Sequence, residues 1–341
     1  MNINDKEIVY TYIPPKQDWI DNKPTYSFEL YSLLYSVESL KRNFTPNKIS
    51  LYTTEEICNL FSNEGYFDKL VVLEKGQEYI SNQNGGYNHP NMLYKMFTVE
   101  DMSQPFLHLD NDLFLNNPHT FDDVHNDILF AYEENVINHQ LNDQFYNFYF
   151  TTYNQIVRNI PEDSLSSLKR FNPMSAFNCC VFGGDNYELI KKSFNRSNQF
   201  FKENYEHLNP IPNMPGFIEQ YLQSSYLLEE KSFYYISFLG DLIKQPTDLP
   251  RFNEVVEMDK MDKYTPFDAY KNIDKGLVKD IMGYLESPIN THLSFIRWYP
   301  PCMIAVYNLL KGMNSKIINK IENIYGKHAW CVDLEGKVNL I

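Results

Sequence analysis

The sequence predicts an α/β protein: a largely parallel central sheet flanked by helices, with a mostly helical C-terminal region. Three observations carry this. Through the first 135 residues, β-branched and aromatic segments alternate with amphipathic ones. The run Leu-Val-Val-Leu at 70–73 has no polar face, as a strand buried on both sides requires. From about residue 246 the strand-like segments give way to mixed polar sequence and then to helical periodicity. Strands and helices of ordinary length in alternation favour parallel pairing, with helices on both faces.

The elements follow in order. Residues 8–13 are Ile-Val-Tyr-Thr-Tyr-Ile, a strand stopped by Pro14 and Pro15. Over 25–43, Leu30, Leu33, Leu34 and Val37 recur at i, i+3, i+4 and i+7, one face of a helix. Residues 48–53 form a second strand. It runs into Thr53-Thr54-Glu55-Glu56, which reads as a capping box for a helix carrying Ile57, Leu60 and Phe61 and ended by Gly65. After the 70–73 strand, 77–89 is a polar loop with Gly85-Gly86, and 92–102 is helical. Residues 105–109 are a strand that ends in Asp110-Asn111-Asp112, and 127–132 are another.

Beyond 135 the pattern loosens. Residues 138–171 are aromatic-rich and helical in part. A strand over 177–182 leads to Gly183-Gly184-Asp185, where Asp185 and Glu188 are placed as cap and N3 partner of a helix over 186–205. Residues 217–228 are helical and 232–239 strand-like. Val306, Tyr307 and Leu310 mark a helix interrupted by Gly312, and Ile317, Ile318, Ile321 and Ile324 mark the next. This places one domain at 1–245 and a helical region at 246–341 packing on it.

Composition narrows the function. The 341 residues are 43% hydrophobic and 22% charged, enough to bury a core. Thirty Lys and Arg against 44 Asp and Glu give a net charge of −14, which argues against nucleic acid as a partner. Five cysteines without a Cys-x-x-Cys pair point to a reducing compartment and no thiolate zinc site. With no basic-then-apolar leader and no apolar run near the roughly 20 residues of a membrane helix, the expectation is a soluble cytoplasmic protein without an integral membrane segment.

Asp-x-Asp by itself is expected about once by chance at this aspartate frequency. Its setting is more informative. Phe106-Leu107-His108-Leu109 is an apolar lead-in, so the acids stand at the end of a buried strand, where open α/β sheets bind ligands. Two carboxylates at i and i+2 can converge on one hard divalent cation that keeps positions for phosphate oxygens. A helix cap or an Asx-turn is the other use of such residues.

Strand-helix-strand-helix-strand followed by apolar-Leu-Asp-x-Asp near residue 110 resembles the nucleotide-sugar glycosyltransferases of the GT-A fold, a Rossmann-like architecture. The stretch from Pro105 to Leu115 also resembles a group of uncharacterised bacterial proteins that carry this variant. Phe177-Asn178-Cys179-Cys180-Val181-Phe182 is similar to the Phe-Asn-x-Gly strand of the family-8 branch, with Cys180 where glycine is usual. Glu219-Gln220-Tyr221-Leu222-Gln223 is similar to that branch's Asp-Gln-x-x-Leu-Asn helix start. Asn290-Thr291-His292 falls where the branch places a late metal-ligating histidine, although the Gly and Lys that normally follow are missing here.

The resemblance implies a metal-dependent hexosyltransferase. Mn²⁺ or Mg²⁺ held by Asp110, Asp112 and His292 would neutralise the leaving diphosphate of a nucleotide-sugar donor, more readily UDP-linked than GDP-linked. Thr11, Tyr12, Lys95, Asn111 and Asn178 are the donor-binding candidates: Tyr12 to stack on the base, Lys95 to reach a phosphate, Asn178 to bond a sugar. Glu219 is the candidate base if the reaction inverts, and Gln220 the polar group at the anomeric face if it retains. Both could equally lie on a solvated helix face. His108 reads as a core histidine. The acceptor would be a glycan, a peptide or a small molecule. The rival readings are a haloacid-dehalogenase-type phosphatase, for which Phe114 stands where Thr or Val is usual, and a non-catalytic glycan- or nucleotide-binding protein.

Overall fold

The computed structural model describes residues 2–325 apart from 15–18, 21–22, 25–26, 77–78, 80–89, 123, 125–126, 134–138, 169, 173–175, 212–213, 231–234, 238–274, 287–291 and 294–299. Its centre is a seven-stranded sheet in the order β10-β8-β9-β6-β1-β4-β5. These strands are β1 (Glu7–Tyr12), β4 (Lys48–Thr53), β5 (Lys69–Val72), β6 (Phe106–Leu109), β8 (Ile128–Glu133), β9 (Phe177–Gly184) and β10 (Tyr235–Ser237). All neighbours pair in parallel except at β9, which runs antiparallel to both β6 and β8. Two small ladders complete the strands. β2 (Trp19–Ile20) pairs with β3 (Lys23–Pro24), and β7 (Leu113–Phe114) pairs with β11 (His292–Leu293).

Helices cover both faces, as the alternating sequence requires. On one face α1 (Ser27–Asn43) and α2 (Glu55–Phe61) pack with α10 (Lys275–Glu286), α11 (Pro300–Met313) and α12 (Ser315–Tyr325), sharing a core with Tyr10, Leu51 and Leu109. On the other, α3 (Pro90–Glu100), α4 (His139–Asn159) and α6 (Tyr187–Glu203), with the short α5 (Glu162–Leu165) and α7 (Tyr205–Leu208) beside them, bury Val9, Phe106, Phe130 and Phe182. The helical C-terminal region is therefore continuous with the first core: Tyr35 Oη donates to Leu285 O at 3.2 Å. Among the described residues no helix is long and apolar enough to cross a membrane.

Several local expectations are corrected. β5 is an edge strand and not a doubly buried one: it closes the sheet order, and Val72 stays 39% exposed. Thr53 does not cap α2, because it ends β4 with its hydroxyl donated to Tyr12 O at 2.5 Å; Thr54 is the cap residue, without a side-chain cap bond. The helix stops at Phe61, and Gly65 serves the turn beyond it at φ 68°. Asp185 does not cap α6 either: the cap residue is Asn186, and Asp185 pairs with Lys6. Gly312 lies inside α11, and the break falls at Asn314, whose Oδ1 accepts from Ile317 N at 3.3 Å. The expected loop at 77–89, Tyr79 apart, and the whole segment from 238 to 274 lie outside the described residues.

Gly183 and Gly184, placed by the sequence just after the strand, are its last two residues. They pair with Leu107 and Phe106 at φ 152° and 136°. A Cβ at Gly183 would stand 2.1 Å from Phe106 O, and one at Gly184 2.1 Å from Asp127 O. Only glycine lets three backbones come this close.

Candidate active site

The β1–β6 register sets Val9 against His108, so Thr11 and Asp110 are level at the carboxyl end of the sheet. There the chain leaves β6 and turns: Asp110 O accepts from Leu113 N at 3.2 Å, and β7 follows. The two acids thus sit in a half-buried turn rather than within the strand itself. Because β9 is antiparallel, its first residues arrive at this same end. Cys180 O accepts from Asp110 N at 2.8 Å, and Asn178 Oδ1 accepts from Cys180 N at 2.9 Å. Asn111 Nδ2 donates to Thr11 O at 3.1 Å and ties the turn to β1.

Lys95 lies at the centre of the site. It is only 6% exposed. Its ammonium pairs with Asp110, stands 2.9 Å from Glu219 Oε1, and lies 3.4 Å from Cys179 O. Burial alone would lower its pKa, but the Asp110 and Glu219 carboxylates outweigh it and hold the lysine charged well above its usual range. Glu219 is completely buried. A carboxylate so placed needs a cation beside it, and Lys95 supplies one.

Glu219 reaches Lys95 from an irregular helix. α8 (Met214–Gly216) runs into a π-helical turn over Phe217–Leu222, and α9 (Gln223–Leu227) continues it. π-Turns re-aim neighbouring side chains and are frequent at functional sites. Here the result is a division of partners: Glu219 meets Lys95, whereas Gln220 Oε1 accepts from Tyr149 Oη at 2.5 Å. Neither lies on a solvated helix face in the way a regular surface helix would place them: Glu219 is buried and Gln220 is half-buried.

Behind this cluster is a polar layer. Thr11 Oγ1 donates to Thr98 Oγ1 at 2.9 Å and shares a hydrogen bond with His108 Nε2 at 3.0 Å. His108 is buried and stacks on Phe182 at 4.9 Å. Burial, and then the nearby Lys95 charge, hold its imidazole well below its usual range. The ring of Tyr12 is fully buried in the core. Cys179 is buried as well, its thiol pushed well up by burial and then by Glu219.

The structure thus gathers Thr11, Lys95, Asp110, Asn111, Asn178 and Glu219 at one end of the sheet, with Asp112 two residues along the turn. The β11–β7 register sets the backbone of His292 opposite Phe114, just after Asp112. Among the described residues no three His, Cys, Asp or Glu side chains form a ready ligand cluster. The donor set nonetheless suits a hard divalent ion. Asp110, Asp112 and Glu219 against Lys95 alone leave two negative charges, and the carboxylate oxygens are of the type such ions take. His108 is the core histidine the sequence predicts, whereas Tyr149 and Thr98 escaped the sequence reading. Tyr149 is one of 26 tyrosines and nothing local distinguishes it.

A mixed sheet with acids and a buried lysine gathered past the carboxyl ends of its central strands defines the class: an open-sheet α/β protein with a charged cluster at the edge where such sheets bind ligands. The chain belongs to a family of unknown function, DUF6734, whose model matches residues 16–289. No curated protein matches it. Among solved structures it is similar to the galactosyltransferase LgtC in complex with donor and acceptor sugar analogues. That likeness is at 11% identity over 72% of this chain and 83% of that one, with a TM-score of 0.38. An active-site mutant of LgtC is similar at 11% identity over 67% of this chain and 72% of that one, also with a TM-score of 0.38.

Proposed function

We propose that this protein is a GT-A-type, metal-dependent glycosyltransferase that moves a hexosyl group from a nucleotide-sugar donor, UDP-linked, to a glycan, peptide or small-molecule acceptor. The observation that carries the reading is the buried Lys95 between Asp110 and Glu219 at the carboxyl end of the sheet, with Asp112 adjoining. Such a cluster holds its charges in fixed positions before any ligand arrives, which is how a site stabilises charge that develops in a reaction.

Asp110, Asp112 and His292 would hold Mn²⁺ or Mg²⁺, which when bound supplies a Lewis acid for the departing diphosphate. The chain's own groups do the rest. Lys95 pairs with Asp110 and Glu219 and holds both side chains in place. Its ammonium is already engaged inward, so its part is to build the site more than to reach a phosphate. Thr11, Asn111 and Asn178 fix the turn and the start of β9 along which the donor would lie, and the buried Tyr12 supports that edge from beneath. Glu219, enclosed by Lys95, orients the sugar side of the site, and Gln220 meets the anomeric face. The helices beyond residue 246 would contribute to the acceptor side.

Thermal shift tests this with UDP and GDP, each with and without Mn²⁺, on wild type and Asp112→Asn. Ligand at about 100 times its dissociation constant adds about 2.7 kcal/mol of apparent stability. The expected result is a shift that requires UDP and Mn²⁺ together and is lost in the variant. A shift only with Mg²⁺ and a phosphate mimic would replace the reading with phosphatase chemistry. No shift at all would leave a protein that binds neither.

A further inference from the structure

The π-turn separates two adjacent side chains, and the second of them has a partner with a chemical consequence. Tyr149 comes from α4 and is 3% exposed, so its phenol is fixed rather than swinging in solvent. Its ring tilts against Tyr221 at 5.8 Å and stands edge-on to Phe148 at 5.0 Å. Tyr221 is itself pinned: its hydroxyl accepts from Asn172 N at 2.6 Å, and its ring stacks on Phe171 at 5.3 Å and on Phe217 at 4.8 Å. On the other side Ser224 Oγ donates to Gln220 O, which holds the backbone of the π-turn.

A primary amide carries one acceptor oxygen and two N–H donors. Tyr149 takes the oxygen of Gln220. With the oxygen turned to Tyr149, the amide presents its Nε2 amino group on the side away from that ring. We propose that Tyr149 is a positioning residue that orients the Gln220 amide so that Gln220 meets its ligand as a hydrogen-bond donor, to an oxygen without a proton such as a phosphoryl or glycosidic oxygen. This rests on the glycosyltransferase reading for the identity of the ligand, and it narrows that reading: Gln220 then acts by donating N–H, not by offering its carbonyl oxygen to the anomeric carbon.

The orientation is measurable without any ligand. In the full chain labelled with ¹⁵N-glutamine, the NH₂ pair of Gln220 is identified by its loss in Gln220→Ala. It is expected to move toward the position of a solvated glutamine in Tyr149→Phe, which keeps the ring and deletes only the hydroxyl. An unmoved pair overturns the proposal.

Turnover gives the second arm, read as hydrolysis of UDP-glucose and UDP-galactose with Mn²⁺. Tyr149→Phe is expected to lower kcat about tenfold with KM nearly unchanged, the worth of one hydrogen bond. It should add nothing in a Gln220→Ala background, because its effect passes through Gln220. An equal loss in both backgrounds would make Tyr149 a packing residue only. Gln220→Glu keeps an oxygen for Tyr149 but presents another oxygen in place of the N–H groups, so it is expected to be as slow as Gln220→Ala. A Gln220→Glu protein at wild-type rate overturns the donor role. If UDP alone still binds normally to Gln220→Ala while hydrolysis falls, the oxygen is glycosidic; if UDP binding weakens in step, it is phosphoryl. A wild type inert to UDP, to Mn²⁺ and to both sugar nucleotides would remove the glycosyltransferase reading, and the amide resonance would still decide whether Tyr149 orients Gln220.

Discussion

Replacing Lys95 by methionine keeps an unbranched apolar stem out to Cε and removes the one positive charge between Asp110 and Glu219. The size of the effect follows from the site. Glu219 is fully buried with Lys95 Nζ at 2.9 Å, and Asp110 shares the same ammonium. Two unit charges 4 Å apart interact by about 4 kcal/mol at the effective dielectric of about 20 that suits protein sites. Removing one member of a buried pair costs about 3–5 kcal/mol, because the partner is left without compensation. Domains of 150–250 residues lose about 2–4 °C of midpoint per kcal/mol, and longer chains somewhat less. Lys95→Met is therefore expected to melt about 5–10 °C below wild type by calorimetry, with a matching fall in urea midpoint. Lys95→Met/Glu219→Gln deletes one of the stranded acids and should recover at least half of the loss. A single variant within about 1 kcal/mol of wild type, or a double variant no better than the single, would refute the idea that this lysine compensates the buried Glu219 and the half-buried Asp110.

At the opposite end of the sheet, Glu7 is only 5% exposed. Burial would raise its pKa, but Ser50, Lys48 and Gln104 bond its carboxylate and together hold it below the ordinary glutamate value. A group depressed in the folded state gives stability that is present above the unfolded value, about 4.3, and lost as pH falls from there through the folded value. Urea titrations from pH 7 to 3 should show that loss in wild type and a flatter profile in Glu7→Gln, which starts about 1–2 kcal/mol less stable at pH 7; equal slopes would contradict it. Gly183→Ala puts a methyl group 2.1 Å from Phe106 O at φ 152°. It should cost at least about 3 kcal/mol and show as loss of soluble protein or a sharply lower melting point, since neither backbone can give way.

Much of the strand framework was legible because it is written locally. Residues 48–53 carry β-branched and aromatic side chains between polar boundaries, and β4 has those same limits. Neighbour relations are not local, and there the sequence was ambiguous. Leu-Val-Val-Leu looks alike in a central and an edge strand, and only the sheet order makes β5 an edge. Gly183-Gly184 has the composition of a turn, and the close carbonyls of Phe106 and Asp127 are what put it inside β9. Thr53 fits a capping box until Tyr12 O, from another strand, takes its hydroxyl. The site divides the same way. Asp110 was found from its apolar lead-in, within a few residues. That Lys95 is buried depends on two acids supplied by distant segments, and that Gln220 has an orientation depends on a tyrosine in α4, so neither leaves a local trace.

The antiparallel course of β9 also has a kinetic side. β9 is made after β6 and β8 but has to be inserted between them. During synthesis, at about 5–20 residues per second, those two strands wait with open edges until residue 184 has emerged. Pairing between segments so far apart in the chain is slow to find, since the entropy of closing the loop is lost before any contact rewards it. Until then Asp110 has no Cys180 carbonyl to bond, and Lys95 lacks both the Cys179 carbonyl and the carboxylate of Glu219. The charged centre of the protein is thus assembled only after β9 and then Glu219 have been made, and a nascent chain stalled before β9 would expose open edges of β6 and β8 that a chaperone, or another copy, can cover.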